Sequence, residues 1–404
     1  MTQPDEKNTS ADPCSCNDQG CCDDQMAQRL PSPTVNSEDN GISCCGKPSY
    51  QASSLFEKPG YQLWHFVEDF MDTPIGPVPL VRVEPAWRDR VGTFMTRIGI
   101  ARDHYTVAPG LYAVGRPDPD DPVLVTANYK LTFDALRKAL SGIKAWILVL
   151  DTLGINVWCA AGKGTFSTNE LVQRIASTQL DKTVNHRELI LPQLGATGVS
   201  AVKVKKATGF KVIWGPIQAS DLKTFLDNGR RAEKGMRQVT FSLPERLVLI
   251  PVELYHLPKP TIWILAGIFL LSGIGSSIFS FSMSWSRGLM AAAAYLIGII
   301  AGTVLAPALL PWIPGTAFAI KGAVIGVIAA IGLLVGLAGS WGGLEALALL
   351  LFTTAISSYL AMNFTGSTPF TSPTGVEKEM RKAIPLQAAA VILAAVAWVA
   401  TPFT

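Results

Sequence analysis

The 404-residue sequence predicts three successive parts: a disordered cysteine-rich tail, an α/β domain with a largely parallel sheet, and an all-α domain of five transmembrane helices. Three observations predict them. Residues 261–404 carry only eight charged side chains, where a soluble domain carries about a quarter. Residues 51–260 hold 26 basic and 20 acidic side chains, and short apolar runs there alternate with helical periodicity. Residues 1–50 hold eight acidic and three basic side chains and six of the seven cysteines. A purely cytosolic enzyme, a secreted disulfide scaffold and a nucleic-acid binder all fit these numbers poorly. The expected boundaries are 1–50, 51–255 and 256–404.

In the tail, Cys14, Cys16, Cys21, Cys22, Cys44 and Cys45 make one C-x-C and two vicinal pairs. Their polar surroundings, rich in Pro, Gly, Asn, Asp and Ser, predict disorder. The spacing matches neither a zinc ribbon nor an iron–sulfur motif. Vicinal thiols suit soft ions of low coordination such as Hg(II), Cu(I) or As(III). A dispensable extension with incidental or protective thiols fits equally. No charged-then-apolar leader opens the sequence, so the front part is not expected to be secreted.

Residues 51–121 are rich in Pro and Gly and resist assignment, although Trp64, Phe66, Phe70 and Trp87 call for burial. From Val123 the pattern sharpens. VLVTAN at 123–128 reads as a buried strand, and Phe133, Leu136 and Leu140 mark one face of a helix over 130–140. AWILVL at 145–150 is a second strand and 155–158 a short third. Ser167, with Glu170 three residues on, forms a capping box for a helix bearing Leu171 and Ile175. Further strands are expected at 200–204, 211–215 and 239–241, with a helix at 219–226. Such alternation implies a largely parallel sheet, whose ligands sit at the carboxyl ends of strands. Cys159, the domain's only cysteine, falls at such an end.

Five apolar stretches, 261–281, 288–310, 316–338, 342–362 and 384–401, approach the about 20 residues needed to cross hydrocarbon. Turn signals separate them at Trp285-Ser286-Arg287, at 311–315, at Gly339-Ser340-Trp341 and around 363–382. Trp263, Trp285, Trp312, Trp341 and Trp398 lie near span ends, where the headgroup level suits them. A cytoplasmic front domain places Lys259, Lys378, Arg381 and Lys382 inside and leaves only Arg287 outside, which the positive-inside rule favours. The expected location is therefore the cytoplasmic (inner) membrane. Within the spans only Lys321 and Glu345 are charged, near opposite faces and so not partners; Lys321 can snorkel. Gly298/Gly302, Gly322/Gly326 and Gly332/Gly336 let helices approach closely. Intramembrane charge hints at function, yet a compact anchoring bundle accounts for all these features.

NVWCAAGKGTF at 156–166 is the segment that carries chemistry. A phosphate loop needs Gly five residues before the Gly of Gly-Lys-Ser/Thr; here that position is Val157, and Gly164 follows Lys163. A zinc or cluster site needs several ligands, and a nucleophilic cysteine needs a nearby base. His65, His104, His186 and His256 show no familiar spacing to Cys159. A lone cysteine beside two alanines can be a small buried hydrophobe. Two features favour function: on a helical turn Lys163 shares the face of Cys159 and favours its thiolate, and Ala160, Ala161 and Gly162 leave a low surface for a planar cofactor.

NVWCAAGK at 156–163 resembles the signature of the mercury-methylating corrinoid protein family (HgcA), whose members join a corrinoid-binding domain to five membrane helices. The resemblance covers about residues 55–404. VLVTANYKLTFD at 123–134 and GFKVIWGP at 209–216 also resemble the corrinoid domain of the CO dehydrogenase/acetyl-CoA synthase corrinoid iron–sulfur protein, which implies a Rossmann-like front domain. The resemblance implies a cobalamin-type corrinoid whose cobalt is ligated from below by Cys159, with Asn156, Val157, Trp158, Ala160, Ala161, Gly162 and Lys163 as the cap around it. The histidine-ligating motif DxHxxG is absent, in agreement. The implied activity moves a methyl group from methyl-Co(III) to Hg(II), giving methylmercury; a soft, donating thiolate assists departure of methyl as a carbanion equivalent.

Implied partners are a ferredoxin-like protein with two four-iron four-sulfur clusters, which returns cobalt to Co(I), and a folate-type methyl donor acting through another protein. The tail departs from the family core, and its six cysteines are expected to capture Hg(II) for delivery. Two other readings stay open. One is a membrane-anchored soft-metal binder without methyl chemistry. The other is a corrinoid methyl carrier serving one-carbon metabolism or another acceptor.

Overall fold

The computed structural model describes residues 65–100, 102–336, 342–367 and 373–404. The six tail cysteines and the expected turn at Gly339-Ser340-Trp341 lie outside the described residues.

An antiparallel hairpin of β1 (Val67–Thr73) and β2 (Gly76–Val81) precedes α1 (Trp87–Arg97) and β3 (Gly110–Val114). Strands and helices then alternate: β4 (Val123–Ala127), α2 (Lys130–Ala139), β5 (Ala145–Leu150), α3 (Val157–Lys163), α4 (Thr168–Ser177), α5 (Leu180–Thr183), β6 (Glu188–Leu191), α6 (Ala201–Thr208), β7 (Lys211–Trp214) and α7 (Leu222–Asp227). The strands form one mixed sheet in the order β1-β2-β3-β5-β4-β6-β7. β5, β4, β6 and β7 run parallel, and β3 lies antiparallel to β5. Chain order reverses at β4, with β5 on one side of it and β6 and β7 on the other.

Helices on both faces explain the uninterrupted apolar strands. On β5, Ile147 and Val149 pack with Phe133, Leu140 and Phe225, whereas Trp146, Leu148 and Leu150 pack with Leu171, Ile175 and Val204. The expected strands at 155–158 and 200–204 are instead helix starts. Asn156 and Ser200 cap α3 and α6 by accepting from Cys159 N and Lys203 N, and a side-chain cap outweighs the weak preference of a short β-branched run. Residues 239–241 form no strand; Thr240 bonds Glu245 at 2.9 Å ahead of α8 (Leu243–Leu247). The capping box at Ser167 is half formed: Ser167 Oγ accepts from Glu170 N, but the Glu170 carboxylate accepts from Asp151 N at 2.8 Å.

A buried ionic cluster ties α1 to α2. Asp89 meets Lys130 at 2.8 Å, Arg137 at 2.7 Å and His65 at 2.6 Å, and Asp134 bonds the same lysine and arginine. Lys130 and Arg137 have no exposed surface. Burial works against ionised Asp89, yet the two cations outweigh it and hold the carboxyl well below its ordinary range.

After α8 come α9 (Ile250–Tyr255), α10 (Pro258–Ser272) and a tight hairpin of β8 (Ile274–Gly275) and β9 (Ile278–Phe279). Next, α11 (Phe281–Ile300) runs through a π-helical turn into α12 (Ala306–Ala308), and α13 (Phe318–Gly336), α14 (Gly343–Asn363) and α15 (Pro373–Ala400) follow. Among the described residues four helices are long and apolar enough to cross a membrane, and the pair Leu243–Tyr255 and Pro258–Ser272, bent by 59°, makes a fifth if counted as one.

The first expected span, 261–281, and the second, 288–310, need correction. The chain turns at the β8–β9 hairpin, where Ser280 caps α11, so Trp285-Ser286-Arg287 is helix interior. Arg287 is buried because its charge is met there: Glu345 lies 3.5 Å away, the Trp398 ring 4.5 Å away, and the Trp398 carbonyl accepts its hydrogen bond. Trp398, near the end of α15, is also buried, donating to Ser272 Oγ at 2.9 Å. Lys321 donates to Leu310 O at 2.6 Å. The last helix begins at Pro373 and carries Lys378, Arg381, Lys382 and Pro385 within it. Two glycine pairs work as expected: a Cβ on Gly302 meets Ser357 O at 2.6 Å and one on Gly322 meets Ala361 Cβ at 2.5 Å, while Gly332 and Gly336 face nothing within 4 Å. The front meets the membrane half where Arg246 donates to Pro307 O at 3.3 Å and Ala308 O at 3.0 Å.

Asp89→Asn is expected to cost about 3–5 kcal/mol, the usual penalty for breaking a buried pair, read in denaturant melts of the full-length protein in detergent. The Asp89 contribution is fully present above its unfolded pKa of about 4 and declines as pH falls further toward its depressed folded value. Acid titration of wild type and variant checks this, since the variant lacks that part of the decline.

Candidate functional site

β4 and β5 end side by side, with Ala127 paired to Leu150. Asn128, next in the chain, has no exposed surface. Its Oδ1 accepts from Thr152 N at 3.1 Å and Gly154 N at 3.0 Å and lies 2.8 Å from the Thr152 hydroxyl, while its Nδ2 donates to Asp151 Oδ1 at 3.2 Å. The turn so held has two successive left-handed residues, Leu153 at φ 56° and Gly154 at φ 72°. A left-handed leucine persists only where its surroundings over-determine it. Here Leu153 N donates to Asp151 Oδ1, Ile155 N to Thr152 O, and Asp151 N to Glu170, itself clamped by Arg174 at 2.7 Å.

The turn delivers α3. Asn156 caps it through Cys159 N at 2.9 Å, and Gly164 at φ 78° ends it. Val157, Ala160 and Ala161 are buried against the sheet; Trp158 and Cys159 are half-buried; Gly162 and Lys163 are exposed. Ala160 and Ala161 therefore belong to the core and do not form the open platform expected of them. Burial pushes the Cys159 thiol up; the Asn156 bond and the positive charges of Lys163 and Arg102 act the other way without overcoming it. The thiolate-favouring pull of Lys163 is thus real and outweighed. Arg102, 57 positions upstream, carried no sequence signal linking it to Cys159.

A cavity of about 740 Å³ opens at this edge, between the ends of β4 and β6, α2, the segment after β7, and Asn156, Val157 and Trp158. It lies where chain order reverses, the usual ligand crevice of such sheets. No group of three or more His, Cys, Asp and Glu able to hold a metal occurs among the described residues. His65 pairs with Asp89 and His186 with Asp121 O at 2.8 Å. Cys159 itself does not line the cavity, whose wall from α3 is Asn156, Val157 and Trp158; a single half-buried thiol suits a metal whose other positions are already filled by its own macrocycle, as in a corrinoid. The tail cysteines lie outside the described residues.

Residues 99–226 match the family CO dehydrogenase/acetyl-CoA synthase delta subunit. Among individual relatives, the chain is 37% identical over 140 residues to the acetyl-CoA decarbonylase/synthase complex subunit gamma of Archaeoglobus fulgidus, covering 33% of this chain and 29% of that one. It is 38% identical over 130 residues to the subunit gamma of Methanopyrus kandleri, covering 31% and 27%. It is 31% identical over 117 residues to the corrinoid/iron-sulfur protein large subunit of Moorella thermoacetica, covering 28% and 26%. The chain thus spans less than a third of the length of each.

Asn128→Ala strands the N–H groups of Thr152 and Gly154, and each unpaired buried donor costs about 1–3 kcal/mol; thermal melts are expected to show that loss together with weakened cobalamin uptake. Lys163→Gln is expected to shift the alkylation profile of Cys159 to higher pH in cofactor-free protein, measured as iodoacetamide rate against pH.

Proposed function

We propose that the front domain holds a corrinoid through Cys159 and that the chain methylates Hg(II) to methylmercury. The observation that carries this reading is the half-buried thiol of Cys159 on the first turn of α3, next in the chain to Asn156, Val157 and Trp158, which line the cavity at the sheet's carboxyl edge. The similarity of residues 99–226 to CO dehydrogenase/acetyl-CoA synthase proteins, among them a corrinoid/iron-sulfur protein, supports its corrinoid part. When bound, a corrinoid supplies a methyl group held on cobalt, which electrophilic Hg(II) can accept.

The chain's own residues set the conditions. Asn156 fixes the backbone of Cys159, and the Asn128 turn fixes Asn156. Cys159 supplies a soft, electron-donating sulfur from a half-buried position, so few waters compete for its partner. Trp158 and Val157 form the cavity rim, Ala160 and Ala161 hold α3 on the sheet, and Gly162 keeps the outward face low beside Lys163. Reducing equivalents are assigned to a ferredoxin-like protein with two four-iron four-sulfur clusters. The methyl group comes from a folate-type donor through another protein. The six tail cysteines are assigned to Hg(II) capture.

The membrane half anchors the site. The front domain meets the bundle where Arg246 reaches Pro307 and Ala308, close in the chain to Leu310, whose carbonyl accepts from Lys321; with the positive-inside rule this supports a cytoplasmic front domain. A second reading, a corrinoid methyl carrier with another acceptor, is favoured by the similarity to acetyl-CoA decarbonylase/synthase subunits.

Purified protein reconstituted with cobalamin is expected to be coloured, with a spectrum of sulfur-ligated cobalt. Cys159→Ala is expected to abolish methylmercury formation, and Cys159→His to keep cofactor but lose most of the activity. A colourless protein overturns the reading; a coloured protein that makes no methylmercury points to the carrier. Changing the six tail cysteines to serine is expected to lower methylation at limiting mercury.

A further inference from the structure

A second cavity, of about 710 Å³, lies between α13, α14 and α15 in the membrane half. Its wall is apolar along Ile320, Val327 and Leu386, but Thr354, Ser358 and Gln387 also line it. Gln387 is only 8% exposed. Its Nε2 donates to Ser358 Oγ at 2.9 Å, and Ser358 Oγ donates to Ala319 O at 2.8 Å. Gln387 Oε1 and Thr354 Oγ1 have no hydrogen-bond partner among the described residues. A buried polar atom left unpaired in an apolar surround is costly, and both residues belong to the cavity wall.

Lys378, Glu379 and Lys382 line the other end of the cavity. The Glu379 carboxylate is committed, accepting from Ala319 N at 2.7 Å in the first turn of α13, where a helix favours negative charge. Lys378 and Lys382 are exposed and join no ion pair among the described residues. Gln387 lies about 7 Å along α15 from Lys382. Lys378 and Lys382 at one end, the polar Thr354 and Gln387, and an apolar wall together meet the three parts of a phospholipid: phosphate, glycerol esters and acyl chain.

We propose that this cavity is a specific site for one anionic glycerophospholipid, with its phosphate on Lys378 and Lys382, its ester region beside Thr354 and Gln387, and an acyl chain along Ile320, Val327 and Leu386. The Thr354 hydroxyl donates to an ester carbonyl. Rotation of the Gln387 carboxamide exchanges its oxygen and NH₂, so its NH₂ can donate there while its oxygen accepts from Ser358. Two unpaired lysines select an anionic head over a neutral lipid or quinone. The site stands whether or not the front domain binds a corrinoid.

The test uses full-length protein in nanodiscs of phosphatidylcholine with or without phosphatidylglycerol, reading thermal midpoints and, after detergent extraction, retained lipid by mass spectrometry. Phosphatidylglycerol is expected to raise the midpoint and to be retained at about one molecule per chain. Lys378→Gln and Lys382→Gln are each expected to cut retention about fivefold, whereas Arg381→Gln, whose arginine pairs with Glu377 on the exposed surface, leaves it unchanged. Gln387→Leu is expected to weaken retention. Both lysines are exposed, so their variants fold irrespective of Gln387. Equal effects of the two lipids, undiminished retention in the double lysine variant, a neutral lipid or quinone retained instead, or inorganic phosphate alone reproducing the shift each overturn the proposal.

Discussion

Asn128 makes its four polar contacts to residues 151–154 from a position with no solvent exposure. Every bond bridges the end of β4 to the chain leaving β5. The consequence is geometric. Two parallel strands must end level, the chain must pass through two left-handed residues, and only then can Asn156 start α3. The orientation of Cys159 is thus inherited from a carboxamide 31 positions earlier. Parallel strands do not turn into one another, so the edge where they end is open backbone needing partners. One asparagine satisfies much of that need and leaves the adjoining cavity free.

The strands that read clearly in the sequence were β4 and β5, which are buried apolar runs, and β7, which is only partly buried; the α2 and α4 helices announced themselves by periodicity and by Ser167. What misread was short. INVW at 155–158 and SAVKV at 200–204 contain β-branched residues, but Asn156 and Ser200 turned out to be caps, and a cap acts through one hydrogen bond that composition does not reveal. β1 to β3 were hidden because their region mixes Pro and Gly with exposed acids. At the site, Cys159 and its neighbours were legible as a segment, whereas Asn128 and Arg102 act through space and left no trace in spacing, and the spacing of Glu170 pointed to Ser167 but not to Asp151.

In the membrane half the misplaced turn has the same origin. Arg287 next to Ser286 looked like a loop because charge in hydrocarbon is expensive. The chain meets that expense with Glu345, the Trp398 ring and a carbonyl, all supplied by helices distant in sequence. Lys321 is likewise met by Leu310 O. Both charges thus find partners within the bundle, Arg287 a carboxylate, a ring and a carbonyl, Lys321 a carbonyl. Gly302 and Gly322 bring their helices onto α14 at distances no side chain allows.

The stretch shared with CO dehydrogenase/acetyl-CoA synthase proteins, 99–226, begins after α1 and ends within α7. It encloses Asn128, the left-handed turn, Cys159 and the cavity, and it excludes the β1–β2 hairpin and every membrane helix. On the reading proposed above, the residues that mount Cys159 all fall inside the shared stretch. Whatever would set this chain's acceptor apart from those of its relatives then falls outside it, in the hairpin, the membrane helices or the thiol-rich segment that precedes them.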